Sequence, residues 1–164
     1  MKISQVIHLK LLLTSILLLN SCSYELRTYS KSLSNQVISF DAKKSELNLE
    51  LENQLSSRNN VFSNIADADL KLKIISHSLN KFVGSTGQGA RTTQVRLDYK
   101  LIYQIGINDG NSLTHTFEDS LFIDFNQANL LAFEKETTSV TKKFIARALR
   151  NIEFITSTQF NEIK

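Results

Sequence analysis

The sequence predicts an α+β domain. It is a two-layer sandwich, with a mostly antiparallel four-stranded sheet and a short additional N-terminal strand packed against two helices in the order β-β-α-β-β-β-α. Three observations predict it. Thr92–Ile105 alternates, with Val95, Leu97, Tyr99, Leu101, Tyr103 and Ile105 on one face and Gln94, Arg96, Asp98, Lys100 and Gln104 on the other, the period of a half-buried strand. Gln127–Ile155 carries Leu130, Phe133, Thr137, Val140, Phe144, Ala148 and Ile152 at steps of three or four, widened by Ile145 and Leu149, the stripe of a core-facing helix. The chain has no proline and only five glycines, so no linker tract divides it and one continuous domain is expected.

The elements follow in order. Met1–Ser21 has the layout of an export leader: Lys2 and Lys10, an apolar segment Leu11–Leu19, then small and polar residues. The apolar segment is shorter than the roughly 20 residues that span a bilayer as a helix, so it reads as a removable address. Leu19-Asn20-Ser21-Cys22 resembles a bacterial lipobox, which makes Cys22 the lipidation site and first residue of the mature chain; the alternative is an ordinary leader followed by a free cysteine. A lone cysteine forms no internal disulfide, and an exported reactive thiol is a liability that a thioether removes. Each buried CH₂ of an acyl chain contributes about 0.8 kcal/mol, so several chains hold a protein on a bilayer. Ser23 in place of an aspartate favours the outer membrane, by resemblance to lipoprotein sorting rules. Removing 21 residues from 164 leaves 143, and the formal charge of +3 falls by Lys2 and Lys10 to +1. That balance is poor support for nucleic-acid binding, and any basic function must come from local clustering.

Ser23–Thr28 alternates and predicts a short strand. Gln36–Phe40, "QVISF", predicts a second. Lys43–Asn60 is open to two readings: Leu47, Leu49 and Leu51 alternate, while Leu47, Leu51 and Leu55 recur at helical spacing. Helix is chosen, because Ser45 can cap it, its acids lie early and β-branched residues are absent. Ala68–Val83 predicts a long strand with a bulge near Ile74-Ile75. "VGSTGQGA" (Val83–Ala90) predicts a hairpin tip, and lacks the lysine and following helix of a phosphate loop. Asn108–Asn111, "NDGN", predicts a turn, and Leu113–Phe125 a returning strand.

No catalytic constellation is legible. His77 and His115 have no Cys, His, Asp or Glu partner at metal-ligand spacing, and each reads as a strand residue. Glu118-Asp119 with Asp124 reads as a solvated face rather than a carboxylate pair. No nucleophile elbow occurs. The expectation is a protein that is not an enzyme and uses no cofactor or metal; a lipid-anchored hydrolase has almost no sequence support.

Three segments carry a family resemblance. "CSYELR" (Cys22–Arg27) places an aromatic and a Leu-Arg pair just after the cysteine. "DYKLIYQI" (Asp98–Ile105) supplies an acid and a tyrosine ahead of alternating apolar residues. "FNQANLLAFEKETTSVTKKFIARALRNI" (Phe125–Ile152) supplies a turn and a helix that is acidic, then basic. Together they resemble the outer-membrane LPS-assembly lipoprotein family (LptE), over nearly all of Cys22–Lys164. The resemblance implies a plug inside the β-barrel LPS transporter LptD, and binding of lipopolysaccharide through basic residues near the sheet tip and the start of the second helix. Arg91 falls at the matching stretch after the glycine-rich tip, with Arg96 on the same strand. At the helix-start position this chain has Phe133, a departure, with Lys135 beside it. Lys81, Arg91, Arg96 and Lys100 are expected near one hairpin tip, as phosphate partners or as ordinary solvated strand charges. The alternative function is a periplasm-facing lipoprotein that binds another envelope partner or a small ligand.

Overall fold

The computed structural model describes residues 33–107 and 112–162. The leader 1–21, Cys22, the strand expected at Ser23–Thr28 and the turn at Asn108–Asn111 lie outside the described residues. The elements are β1 (Val37–Asp41), α1 (Glu46–Ser56), β2 (Val61–Phe62), β3 (Leu70–Thr86), β4 (Thr92–Ile107), β5 (Leu113–Asp124) and α2 (Leu130–Glu162). They form one five-stranded sheet in the order β2-β1-β3-β4-β5, with both helices on one face, as the α+β sandwich expectation requires.

The sheet is antiparallel from β3 to β5, but β1 runs parallel to both its neighbours. The cause is α1, which carries the chain across the sheet face before it returns, and such a crossover joins parallel strands. The fifth described strand is the two-residue β2, too short to show a period. It begins just beyond the predicted helix, which closes early: Ser57 is the C-cap and Asn59 takes a φ of 60°, a left-handed backbone that asparagine tolerates. At the other end Ser45 Oγ accepts the Asn48 N–H at 3.1 Å, the expected cap. Leu51 and Leu55 are fully buried and Leu49 is 58% exposed, which settles helix over strand.

The core lies between the sheet's inner face and the helices. Leu97, Tyr99, Leu101, Tyr103 and Ile105 from β4 meet Val140, Phe144, Ile145, Ala148, Leu149 and Ile152 from α2. The helix stripe holds except at its first turn, where Leu130 is 52% exposed. α2 starts later and runs further than predicted, from an Asn129 side chain that accepts the Ala132 N–H at 3.2 Å. Lys142, Lys143, Arg147 and Arg150 therefore stand mid-helix.

The bulge expected near Ile75 is present: the β3–β4 register shifts between Ile74 and Ser76. It moves the inner face from even-numbered Leu70, Leu72 and Ile74 to odd-numbered His77, Leu79 and Lys81, which pair with Leu101, Tyr99 and Leu97. β3 also continues to Thr86, so the hairpin turn is shorter than Val83–Ala90. It is closed by the Gly87 N–H on the Arg91 carbonyl at 2.8 Å, with Gly89 and Ala90 at positive φ.

Leu33 is buried at the opposite end of the sheet from this turn. Its N–H donates to Glu153 Oε1 at 3.2 Å and its carbonyl accepts from Asn60 Nδ2 at 2.8 Å. β3 spans about 55 Å at roughly 3.3 Å per residue over its 17 residues. That length separates Leu33 from the tip.

Candidate functional site

The bulge decides which side chains reach which face. β3, β4 and β5 pair Phe82 with Arg96 and Arg96 with Phe122. These three side chains therefore form a row across the outer sheet face, the one without helices. Both side chains are about half in solvent, Phe82 at 48% and Phe122 at 53% exposed. The Arg96 guanidinium lies 5.4 Å from the Phe82 ring centre, within reach of a cation–π attraction. Arg96 Nη2 also donates to Asp98 Oδ2 at 2.9 Å, while Asp98 Oδ1 is buried without a donor. Two rows along from Arg96, Lys100 Nζ meets Glu118 Oε1 at 2.6 Å. Between these rows lies a groove of about 490 Å³, lined in part by Asn80, Phe82, Arg96 and Lys100.

Gly84 belongs to this site, not to the turn. A Cβ there would sit 2.8 Å from Phe122 Cδ1 and 3.1 Å from the Gln94 carbonyl. The missing side chain lets the Phe122 ring lie across β4 onto β3. A glycine inside a strand commonly marks such a close approach.

The five expected lipopolysaccharide contacts divide between four places. Arg96 and Lys100 share the outer face. Arg91 is exposed at the tip, beside a groove of about 1030 Å³ formed with Phe125, Gln127, Ala128 and Leu130. Lys81 is on the helix-side face, its Nζ 5.4 Å from the ring centre of Phe133. Lys135 is exposed on α2, two residues past Phe133 and so about 200° around the helix from it. A single cluster of Lys81, Arg91, Arg96 and Lys100 does not form. Phe133 takes over the helix-start position as a ring that receives Lys81. The Glu118–Asp119 pair is also split: Glu118 meets Lys100 on the outer face, and Asp119 Oδ2 accepts from Arg147 Nη1 at 2.7 Å on the inner one.

The exposed aromatics Phe82 and Phe122 were not legible as site residues. Their signal was phase. Phe122 makes "LFI" at Leu121–Ile123 apolar without alternation, and Phe82 falls outside once the bulge is counted.

His77 sits in a partly buried chain of hydrogen bonds. Asn48 Nδ2 donates to the Lys43 carbonyl at 2.8 Å, which leaves Asn48 Oδ1 to accept from His77 Nδ1 at 2.6 Å. His77 Nε2 then accepts the Tyr99 hydroxyl at 2.7 Å. Both ring nitrogens are satisfied by the neutral imidazole. Burial lowers the His77 pKa to about 4 and raises that of Tyr99. The chain ties α1 to β3 and β4, a structural role that fits the strand reading of His77. Among the described residues no group of three or more His, Cys, Asp or Glu is placed to hold a metal ion, and no helix is long and apolar enough to cross a membrane.

No family model matches this chain, and no curated protein matches it by sequence. Solved structures share its fold. The rare lipoprotein B of Shewanella oneidensis aligns with a TM-score of 0.62 at 18% identity, over 78% of this chain and 98% of its own. An uncharacterized lipoprotein B from Nitrosomonas europaea gives 0.62 at 17% identity, over 85% and 96%. A minor lipoprotein from Acinetobacter baumannii gives 0.54 at 19% identity, over 76% and 92%. The shared architecture is thus one that bacterial lipoproteins use.

Proposed function

We propose that the chain is an outer-membrane lipoprotein of lipopolysaccharide assembly, anchored through Cys22, that works with a β-barrel partner of the LptD type and binds lipopolysaccharide on its periplasmic side. The observation that carries the reading is the Phe82–Arg96–Phe122 row. It sets a guanidinium between two exposed rings on an open sheet face, with Arg91 further along at the tip. An amphipathic glycolipid presents phosphates beside acyl chains, and such a surface offers both partners: arginine for phosphate, in paired hydrogen bonds, and aromatic area for hydrocarbon. Two further features support it. The lipobox-like Leu19–Cys22 supplies an anchor, and the fold is shared with three bacterial lipoproteins. Leu33 is buried at the end of the sheet away from Arg91.

The test compares lipopolysaccharide capture by the wild type with that by a variant carrying Arg91→Glu and Arg96→Gln. Glutamine is chosen at Arg96 because a carboxylate there would stand against Asp98. Charge-assisted contacts contribute about 1.5–3 kcal/mol each, and less when water screens them. Capture should therefore weaken by roughly tenfold or more, at unchanged melting temperature. It should also weaken for the wild type as salt is raised to 1 M, where screening shortens to about 3 Å. Equal capture by both proteins would remove these arginines from the function.

A further inference from the structure

Two long strand edges have no partner strand among the described residues, and they are built differently. β1 pairs with β3 only from Leu70 to Lys73, so the rest of β3 has an open outer edge. That edge is broken by register shifts at Ile74/Ser76, Val83/Ser85 and Ser85/Thr86, and it carries Lys81. Bulges and lysines are the devices that keep an edge from pairing. β5, at the other side, has none of them. Its twelve residues pair with β4 without a shift, from Leu113 with Ile105 to Asp124 with Gln94. It contains no proline, lysine, arginine or glycine.

The direction of its backbone groups follows from the ladder. The Phe125 N–H points inward, to the Thr93 carbonyl at 2.8 Å. Antiparallel ladders alternate, so odd-numbered residues of β5 bond to β4. The N–H and C=O groups of Thr114, Thr116, Glu118, Ser120 and Phe122 then point outward. In agreement, the Ser120 N–H is taken by the Asp119 carboxylate at 2.9 Å. Thr114, Thr116, Glu118 and Phe122 are all exposed.

We propose that the outer edge of β5 accepts an extended, lysine- or arginine-bearing segment of another polypeptide, which adds to the sheet as a strand next to β5. Backbone hydrogen bonds would give such a segment its affinity, and alternate side chains its specificity. β5 carries Glu118, Asp119 and Asp124 and no cation. Glu118 and Asp124 lie on the outer face; Glu118 already meets Lys100 and Asp124 accepts from Gln94 Nε2, yet both stay exposed, so cations on that side of an added strand would join carboxylates that water still reaches. On the helix side, the half-exposed Leu113 and the partly exposed Leu121 would meet apolar residues. The same charges argue against a second copy of this chain. In an antiparallel two-fold pairing of β5 with itself, outward-bonding even residues face even ones, so the central registers set Glu118 opposite Glu118 or Asp119 opposite Asp119, and like charges directly opposite are destabilising. The proposal is independent of lipopolysaccharide binding, and its test contains no lipid ligand.

The probe is a fluorescent ten-residue peptide of alternating lysine and valine, titrated into the full-length lipidated protein in detergent and followed by anisotropy and amide hydrogen exchange. Saturable binding is expected, with the Thr116 and Phe122 amides gaining protection. A glutamate–valine peptide should bind at least about tenfold more weakly, and a lysine–valine peptide with N-methylated backbone amides should not bind. Thr116→Pro deletes an outward N–H and no internal ladder bond, a placement proline tolerates at an edge; it should weaken binding at least about tenfold with the melting temperature retained. If that variant fails to fold, the methylated peptide decides. Absence of binding, equal binding of the methylated peptide, or a lysine–valine complex that leaves the β5 amides unprotected would overturn the proposal, as would sedimentation showing a dimer through β5.

Discussion

Phe144→Ala should destabilise the domain by about 3–5 kcal/mol, measured as the shift in unfolding free energy by urea titration. The ring is 1% exposed and stacks on Tyr99, centroids 5.4 Å apart at 23°. Tyr99 in turn meets Phe117 edge-on at 6.0 Å and donates its hydroxyl to His77. Removing Phe144 therefore opens a cavity at the place where α2, β4 and β5 converge, and frees the ring that orients the His77 hydrogen bond. For a domain whose whole stability is about 5–15 kcal/mol, this is a severe loss. A shift below about 0.5 kcal/mol would mean that the surrounding core closes over the gap and that α2 is not seated by this ring.

The second large effect is a loss of stability in mild acid that depends on His77. In the folded protein its pKa is lowered to about 4 by burial; in the unfolded chain it returns to 6.5. Below 6.5 the unfolded chain takes up a proton that the folded one refuses. The contribution is thus fully present above about pH 6.5 and is lost progressively as pH falls through 4. Between pH 7.5 and 4.5 it amounts to about 2 kcal/mol, after allowing for the partial solvent contact of the ring. Carboxylates also titrate in this range, so the measurement is a difference. His77→Gln keeps a donor and an acceptor but no titrating group, and its stability should fall less over the same interval by that amount. Parallel curves for the two proteins would sink the assignment.

Much of this fold was legible because its long elements carry their periods openly. β4 shows six apolar residues in strict alternation, and α2 runs for 33 residues with one apolar stripe. What escaped were features that local pattern does not encode. β2 is a pair of residues given strand identity by its parallel register with β1. The parallel course of β1 depends on where α1 lands, a tertiary fact. The bulge at Ile75 was foreseen, but its consequence was not: one extra residue exchanges the faces of everything after it, so Lys81 goes in and Phe82 goes out. The expected cationic cluster failed for this reason, since a strand sends successive charges to opposite sides. Gly84 looked like a loop residue beside Gly87 and Gly89. Only the position of Phe122 shows that it leaves room for a ring.

The seat of Leu33 also bears on the order in which the chain assembles. β3, β4, β5 and α2 are consecutive, and each neighbours the next in space, so their contacts close short loops. Leu33 instead meets Glu153 across 120 positions, and β1 must cross past α1 to reach β3. Loop-closure entropy delays such non-local contacts. The meander and its helix should therefore form first, with the N-terminal strand docking as a late, separable step. In pulse-labelling hydrogen exchange, the amides of Val37–Asp41 should become protected after those of β4; simultaneous protection would show that the two parts fold as one unit. The contacts that seat Leu33 would then be among the last the domain closes.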